Sequence, residues 1–158
     1  MRYCSDYRCA VLVFSLVCAA CSDPAEPTSS GNAEVTGTGL VRMTQVSFRT
    51  TVDVRRVDGV LSGTVATAAE IGGTAVEHSG AVNCLRVSGR SAWIGSTITT
   101  TNNQVLAPLG SRVIVMIRDL GGPGQDIMHA ELYGFDAQCT PARDLEETVV
   151  SEGDYSVR

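Results

Sequence analysis

A strictly alternating segment limits the choice of fold more than any other feature of this chain. From residue 46 to residue 55, apolar or weakly polar side chains take every second position, and charged or hydroxyl side chains take the others. A period of two predicts a β-strand with one buried face and one face in water. Asp58-Gly59 follows, and this dipeptide between apolar residues is the strongest short signal for a β-hairpin. We therefore expect residues 60–66 to run back beside this strand.

The rest of the chain carries the same bias toward strands. From residue 40 onward, Val, Ile and Thr make up 34 of 119 residues, and no window holds a sustained apolar period of a helix. Further strands are predicted at residues 82–87, 92–98, 112–118, 126–133 and 155–157. The run at 112–118 is almost wholly apolar, which is typical of a strand buried on both faces.

These patterns predict one all-β domain over residues 40–158. We expect a single antiparallel β-sandwich or small barrel of about eight short strands. Only residues 142–148 have a composition compatible with a helix, so at most one short helix is expected.

The first 20 residues predict a removable export signal. Arg2 and Arg8 give a basic start, an apolar run of ten residues follows, and two alanines precede Cys21. The apolar run is too short to cross a bilayer as a helix. The end of the segment resembles the lipobox of bacterial lipoproteins, which implies that Cys21 receives diacylglycerol. The alternative is ordinary cleavage after Ala20 without a lipid.

Residues 21–39 are expected to be a lipid-anchored flexible tether. The stretch is dense in Ser, Thr, Gly and Pro and cannot bury enough surface to offset its ordering entropy. The expected location is therefore the bacterial cell envelope, with the membrane as a partner through the N-terminal lipid. Ser22 after the lipid site resembles the class sorted to the outer membrane in bacteria that have two membranes.

Two cysteines belong to the expected domain. Three others leave with the signal, Cys21 is assigned to the lipid, and Cys84 and Cys139 are left. An exported thiol pair predicts a disulfide, which would close a loop of 55 residues (139 − 84). A metal site is the alternative, but neither cysteine has a second Cys or a His at zinc-finger spacing. We expect neither a metal nor a cofactor.

The mature region also resembles a group of uncharacterised secreted bacterial β domains. The resemblance rests on residues 82–95 (VNCLRVSGRSAWIG), on residues 115–119 ahead of the glycines at 121–124, and on the downstream Cys139. It covers roughly residues 37–158. It implies a secreted β domain and carries no activity with it.

Few residues suggest chemistry. Asp119 and Asp126 flank a Gly-Gly-Pro-Gly loop and could pair as hydrolytic acids or bind calcium, although aspartate more often caps such turns. His129 and Glu131 imitate part of a zinc-deaminase motif, and the fold could bring His78 to them, but surface polar groups are the favoured interpretation. The single tryptophan, Trp93, is expected in the core.

Charge and composition narrow the class of partner. The chain has 12 arginines, no lysine and 17 acidic residues, for a net charge of −5, which argues against a nucleic-acid partner. We expect an envelope lipoprotein whose β domain is a non-catalytic interaction or structural module, with a protein or glycan partner left open. The alternatives are a small envelope hydrolase using Asp119 and Asp126, and a barrel that holds an apolar ligand.

Overall fold

A computed structural model describes residues 31–131, 135–141 and 147–158 of the chain. Nine strands form one antiparallel sheet in these ranges, in the order β8-β7-β6-β5-β4-β3-β2-β1-β9, and the sheet curls into a half-barrel. The strands are β1 Ala33–Arg42, β2 Val46–Val57, β3 Val60–Ile71, β4 Thr74–Ser88, β5 Ser91–Thr101, β6 Arg112–Arg118, β7 Ile127–Glu131, β8 Thr148–Val149 and β9 Glu152–Val157. The prediction of an all-β antiparallel fold is confirmed, and the curved sheet is closer to a barrel than to a sandwich. No helix that could span a membrane occurs in the described ranges.

The first predicted hairpin is confirmed residue by residue. Val57 pairs with Val60, and the two turn residues Asp58 and Gly59 have φ angles of 50° and 79°. Positive φ at both positions gives a turn whose twist matches that of the flanking strands. In β2 the buried side chains are those of the predicted apolar face, Thr50, Val52 and Val54, and the residues between them are exposed.

Several strands are longer than the sequence indicates. β3 extends to Ile71, and β4 begins at Thr74 rather than near residue 82, so that a further tight hairpin forms through Gly72-Gly73. Strands of 12 and 15 residues replace the short ones expected there. The sequence did not predict this extension, because alanine and threonine give only a weak alternation of apolar and polar side chains.

The predicted domain boundary at residue 40 is wrong, because the sheet begins at Ala33. β1 pairs with β2 along its whole length and with β9 along its middle. Gly37 and Gly39 made the segment look like a tether, but a side chain at Gly39 would collide with the ring of Tyr155 in β9, and one at Gly37 would collide with the backbone of Asp154 and Tyr155. These glycines are therefore positions of close packing.

The sheet has an apolar core on its concave side and a smaller cluster on its convex side. The core includes alternate residues of β6, namely Val113, Val115 and Ile117. Between them Ile114 packs on the convex side with Phe135 and the two domain cysteines. The prediction that β6 is buried on both faces is confirmed. Its concave face packs in the main core, and its convex face is covered by the smaller cluster.

Some sequence predictions fall on residues outside the described ranges. These are the export signal, Cys21, most of the tether, and residues 142–146 of the expected helix. The last residue of that expected helix, Thr148, begins β8.

Candidate functional site

A cavity of about 360 Å³ lies at one end of the concave side, where β2, β3 and β4 meet β6, β7 and β8. Register pairs bring its walls together, since Phe48 of β2 lies opposite Ala69 of β3, which lies opposite Val76 of β4. The residues that line it are Met43, Val46, Phe48, Thr67, Ala69, Ile71, Val76, His78, Leu106, Ala107, Val113, His129, Ala130 and Thr148. The cavity has the size and the mainly apolar walls of a small-molecule site.

The loop between β5 and β6 covers part of the cavity. The Asn103 side chain accepts hydrogen bonds from the main-chain N–H groups of Val105 and Leu106, at 3.1 and 3.0 Å. The Ala107 N–H donates to the Asn103 carbonyl at 2.9 Å. An asparagine bonded to its own following backbone fixes a tight turn. This turn places Ala107, which is 1% exposed, and Leu106 against the cavity.

Two polar side chains face the cavity from neighbouring strands. Thr67 of β3 and His78 of β4 are register partners and therefore project on the same side of the sheet. The Thr67 hydroxyl is bonded to the Thr50 hydroxyl at 3.1 Å, and the Thr50 carbonyl accepts from the Tyr155 hydroxyl at 2.8 Å. Burial lowers the pKa of the half-buried His78 below its ordinary value.

The mouth of the cavity is aliphatic. Met43, in the β1–β2 turn, is 51% exposed, and Ile71 and Leu106 are also exposed on the same rim. Among the described residues that line the cavity there is no Arg, Asp or Glu. Exposed aliphatic side chains around a concave apolar site are typical of a surface that receives an apolar molecule.

A depression on the convex side is larger, at about 470 Å³, but it is more open. Arg49 and Glu77 lie on its border, and its hydroxyl groups already pair with one another, as Ser79 does with Thr100 at 2.6 Å. It lacks the enclosing walls that bury most of a small ligand. The concave cavity is therefore the better candidate site.

Asp119 and Asp126 do not converge on this cavity, because both hold β9. Asp126 is fully buried and accepts from the N–H groups of Leu120, at 2.8 Å, and Tyr155, at 2.7 Å. Asp119 accepts from the Val157 N–H at 3.2 Å. The bond between Leu120 and Asp126 spans the neck of the loop, as expected for a turn cap. The bonds to Tyr155 and Val157 join the loop to the last strand. Both acids therefore have a structural task.

The charge of Asp119 is stabilised by its partners. Burial acts to raise the pKa of this carboxyl, but the Val157 N–H and the ion pair with Arg90 together hold its pKa below the ordinary value. Hydrogen bonds from main-chain amides and a nearby guanidinium favour the ionised form. The carboxylate is thus a stable anion that binds the backbone of β9.

The two histidines lie on opposite sides of the sheet. His129 borders the cavity too, yet it follows Met128, whose side chain is in the concave core, so its own side chain belongs to the convex side. The alternative in which the fold brings His78 and His129 together is therefore not found. No group of three metal-binding side chains occurs among the described residues.

The convex cluster contains the predicted disulfide. Cys84 and Cys139 are bonded, with a Cα–Cα distance of 5.6 Å. Trp93 packs against this cluster rather than in the main core, is half-buried, and carries the Arg86 guanidinium 4.2 Å from its ring centre. The expectation of a core tryptophan is thus met only in part.

The cavity residues were not singled out by the sequence, apart from His78 and His129. Ala69, Val76 and Ala107 are ordinary apolar residues, and only the register of the strands brings them together. Asn103 is the one local sequence signal near the cavity, because asparagine often forms an ordered turn with the backbone that follows it. Comparison with protein-family models, with curated proteins and with solved structures gives no match to this chain.

Proposed function

We propose that this protein is an exported, envelope-anchored lipoprotein whose non-catalytic β domain binds a small apolar ligand. The observation that carries the proposal is the aliphatic cavity at the end of the concave side. Export and anchoring through Cys21 rest on the N-terminal sequence.

The distribution of polar groups favours binding over hydrolysis. A hydrolase of this size would need acids or a nucleophile aimed into the cavity, and Asp119 and Asp126 instead bind the backbone of β9. The polar side chains that do face the cavity, Thr67, His78 and Thr148, are uncharged at neutral pH. Such a set orients a ligand without supplying an acid–base pair.

The shape of the sheet supports the same function. The core fills one part of the concave side and leaves the cavity in the other part, where a ligand can bind as in barrels that hold one small molecule. At the filled end, Arg56 donates hydrogen bonds to the carbonyls of Leu85 and Gly31, both at 2.9 Å. The cavity, which is lined by Val46 and Phe48 near the start of β2, lies at the opposite end of the sheet and has an aliphatic mouth.

The test is binding of an apolar fluorescent probe, N-phenyl-naphthylamine, to the purified mature domain. Ala69→Phe fills the cavity from β3, and Ala68→Phe adds the same ring on the opposite side of the same strand. We expect the parent and Ala68→Phe to enhance probe fluorescence to a similar extent, and Ala69→Phe to lose the enhancement.

A second variant that fills the cavity controls for the case in which Ala69→Phe does not fold. Ala130→Leu narrows the cavity from β7, and thermal unfolding shows which variants are folded. Absence of probe binding by the parent, or equal binding by folded Ala69→Phe and folded Ala68→Phe, would overturn the proposed function.

A further inference from the structure

We propose that the cavity selects an uncharged aliphatic molecule with one hydrogen-bonding head group, of the class of medium-chain alcohols, and that His78 binds the head group. This inference rests on the proposed function and names the ligand class for the same cavity.

The first argument is that the described residues on the cavity walls carry no charge. The described residues that line the cavity include no Arg, Asp or Glu, and the chain has no lysine. A carboxylate or an ammonium group in this cavity would lose its hydration without gaining a counter-charge, which is strongly unfavourable. Fatty acid anions and alkylammonium ions are therefore poor occupants.

The second argument is the state of His78. Its imidazole is half-buried and forms no hydrogen bond with any other described residue, whereas the neighbouring Thr67 hydroxyl is engaged with Thr50. A polar group desolvated in this way gains most from a ligand that completes its hydrogen bonding. Of the two groups at this point of the wall, the imidazole is the one available to a ligand.

The third argument matches the head group to the imidazole. Because burial lowers the pKa of His78, the ring is neutral at neutral pH and offers one N–H donor and one nitrogen acceptor. A hydroxyl group likewise donates once and accepts. The aliphatic chain would extend past Val76 and Ala69 toward the rim at Ile71 and Met43.

The experiment compares three ligands of equal chain length, octanol, octanoate and octane, as competitors of the bound fluorescent probe. At neutral pH we expect octanol to bind most tightly and octanoate to bind about tenfold or more weakly than octanol. In His78→Leu the affinity for octanol should fall about fivefold, the equivalent of one hydrogen bond, while that for octane stays constant.

Two further variants separate a binding role from a structural one. His78→Gln keeps a donor and an acceptor and should retain the preference for octanol over octane. Glu77→Leu adds the same leucine to the exposed side of β4 and should change none of the three affinities. A structural role of His78 would instead lower the three affinities together.

The outcomes distinguish the inference from the proposed function. Failure of the parent to bind the probe at all counts against the proposed function. Probe binding with octanoate as tight as octanol, or an unchanged octanol preference in His78→Leu, overturns the inference and leaves the proposed function standing.

Discussion

At the scale of single residues, close packing around Tyr155 explains why the sheet begins where it does. The ring is 2% exposed, lies over Gly37 and Gly39 of β1, and is fixed by the bond from its hydroxyl to the Thr50 carbonyl. Burial also raises the pKa of the Tyr155 hydroxyl, which therefore stays protonated and keeps donating. An aromatic ring over a strand glycine fills the space that a missing side chain leaves.

Gly39→Ala tests this packing. The added Cβ would lie 2.5 Å from the Tyr155 ring, which cannot move without losing its hydrogen bond, so we expect a loss of about 1–3 kcal/mol in the free energy of unfolding. Urea denaturation of the parent, the single variants and the double variant Gly39→Ala/Tyr155→Ala measures it. The packing argument would be refuted if Gly39→Ala lowers the free energy of unfolding as much in the Tyr155→Ala background as in the parent.

Asp119 makes the stability of the domain depend on pH. Because its pKa is lower in the folded protein, the carboxylate stabilises the fold above the ordinary carboxyl range, and this stabilisation is lost as the pH falls through the folded-state pKa. We expect Asp119→Asn to be less stable than the parent at neutral pH, with a difference that shrinks in acid. Thermal unfolding across the acidic range measures the difference.

Asp53→Asn is the matched control, because Asp53 is an exposed acid on the convex side of β2. If the stability curves of Asp119→Asn and the parent run parallel into acid, the charge of Asp119 adds nothing to the stability that its hydrogen bond with the Val157 N–H provides.

At the scale of elements, the sequence revealed the strands whose signals are local. The β2–β3 hairpin needed only an alternating segment and Asp58-Gly59, and the limits of β6 follow from one apolar run. β1 was missed because the reason for its glycines is Tyr155, at the other end of the chain. The cavity could not be predicted, since it depends on the register of at least five strands.

The disulfide in the convex cluster holds a covering segment against the convex side of the sheet. The disulfide ties the segment that holds Phe135 onto β4, and Arg112 stacks 3.7 Å from the Phe135 ring centre. A crosslink over 55 residues restricts the unfolded chain, and the covered surface includes Ile114 of β6.

Replacing both cysteines by alanine should lower the free energy of unfolding by about 2–5 kcal/mol. The concave cavity lies on the other side of the sheet, so probe binding by the folded fraction should stay close to that of the parent. Chemical denaturation and probe titration of the double variant provide the two measurements. A stable variant that no longer binds the probe would show that the convex cluster shapes the cavity.

At the scale of the whole molecule, the half-barrel is closed at its edges by side chains and single backbone bonds rather than by a ladder. The Gly124 N–H, in the loop before β7, donates to the Gly153 carbonyl of β9 at 2.9 Å. Together with the bonds from Asp126 to Tyr155 and from Asp119 to Val157, this bond holds the last strand across the gap. These bonds join β9 to the loop before β7, and the cavity at one end of the concave side keeps an exposed aliphatic rim.

The proposed lipid anchor would hold this domain near a membrane, where apolar molecules are concentrated. Cys21→Ser should release the protein from the membrane fraction, because a single serine removes the acceptor of the lipid. Fractionation of cells that express the parent or the variant tests it, and membrane association of Cys21→Ser equal to that of the parent would contradict the anchor.

The most direct test of the ligand-binding account is chemical-shift mapping of the isotope-labelled domain during titration with octanol. The account predicts that the largest shifts fall on cavity residues such as Ala69, Val76 and Ala107, while Ala68 and Trp93 on the convex side stay unchanged. Saturating shifts confined to the convex side, or no shifts at any octanol concentration below its solubility limit, would contradict it.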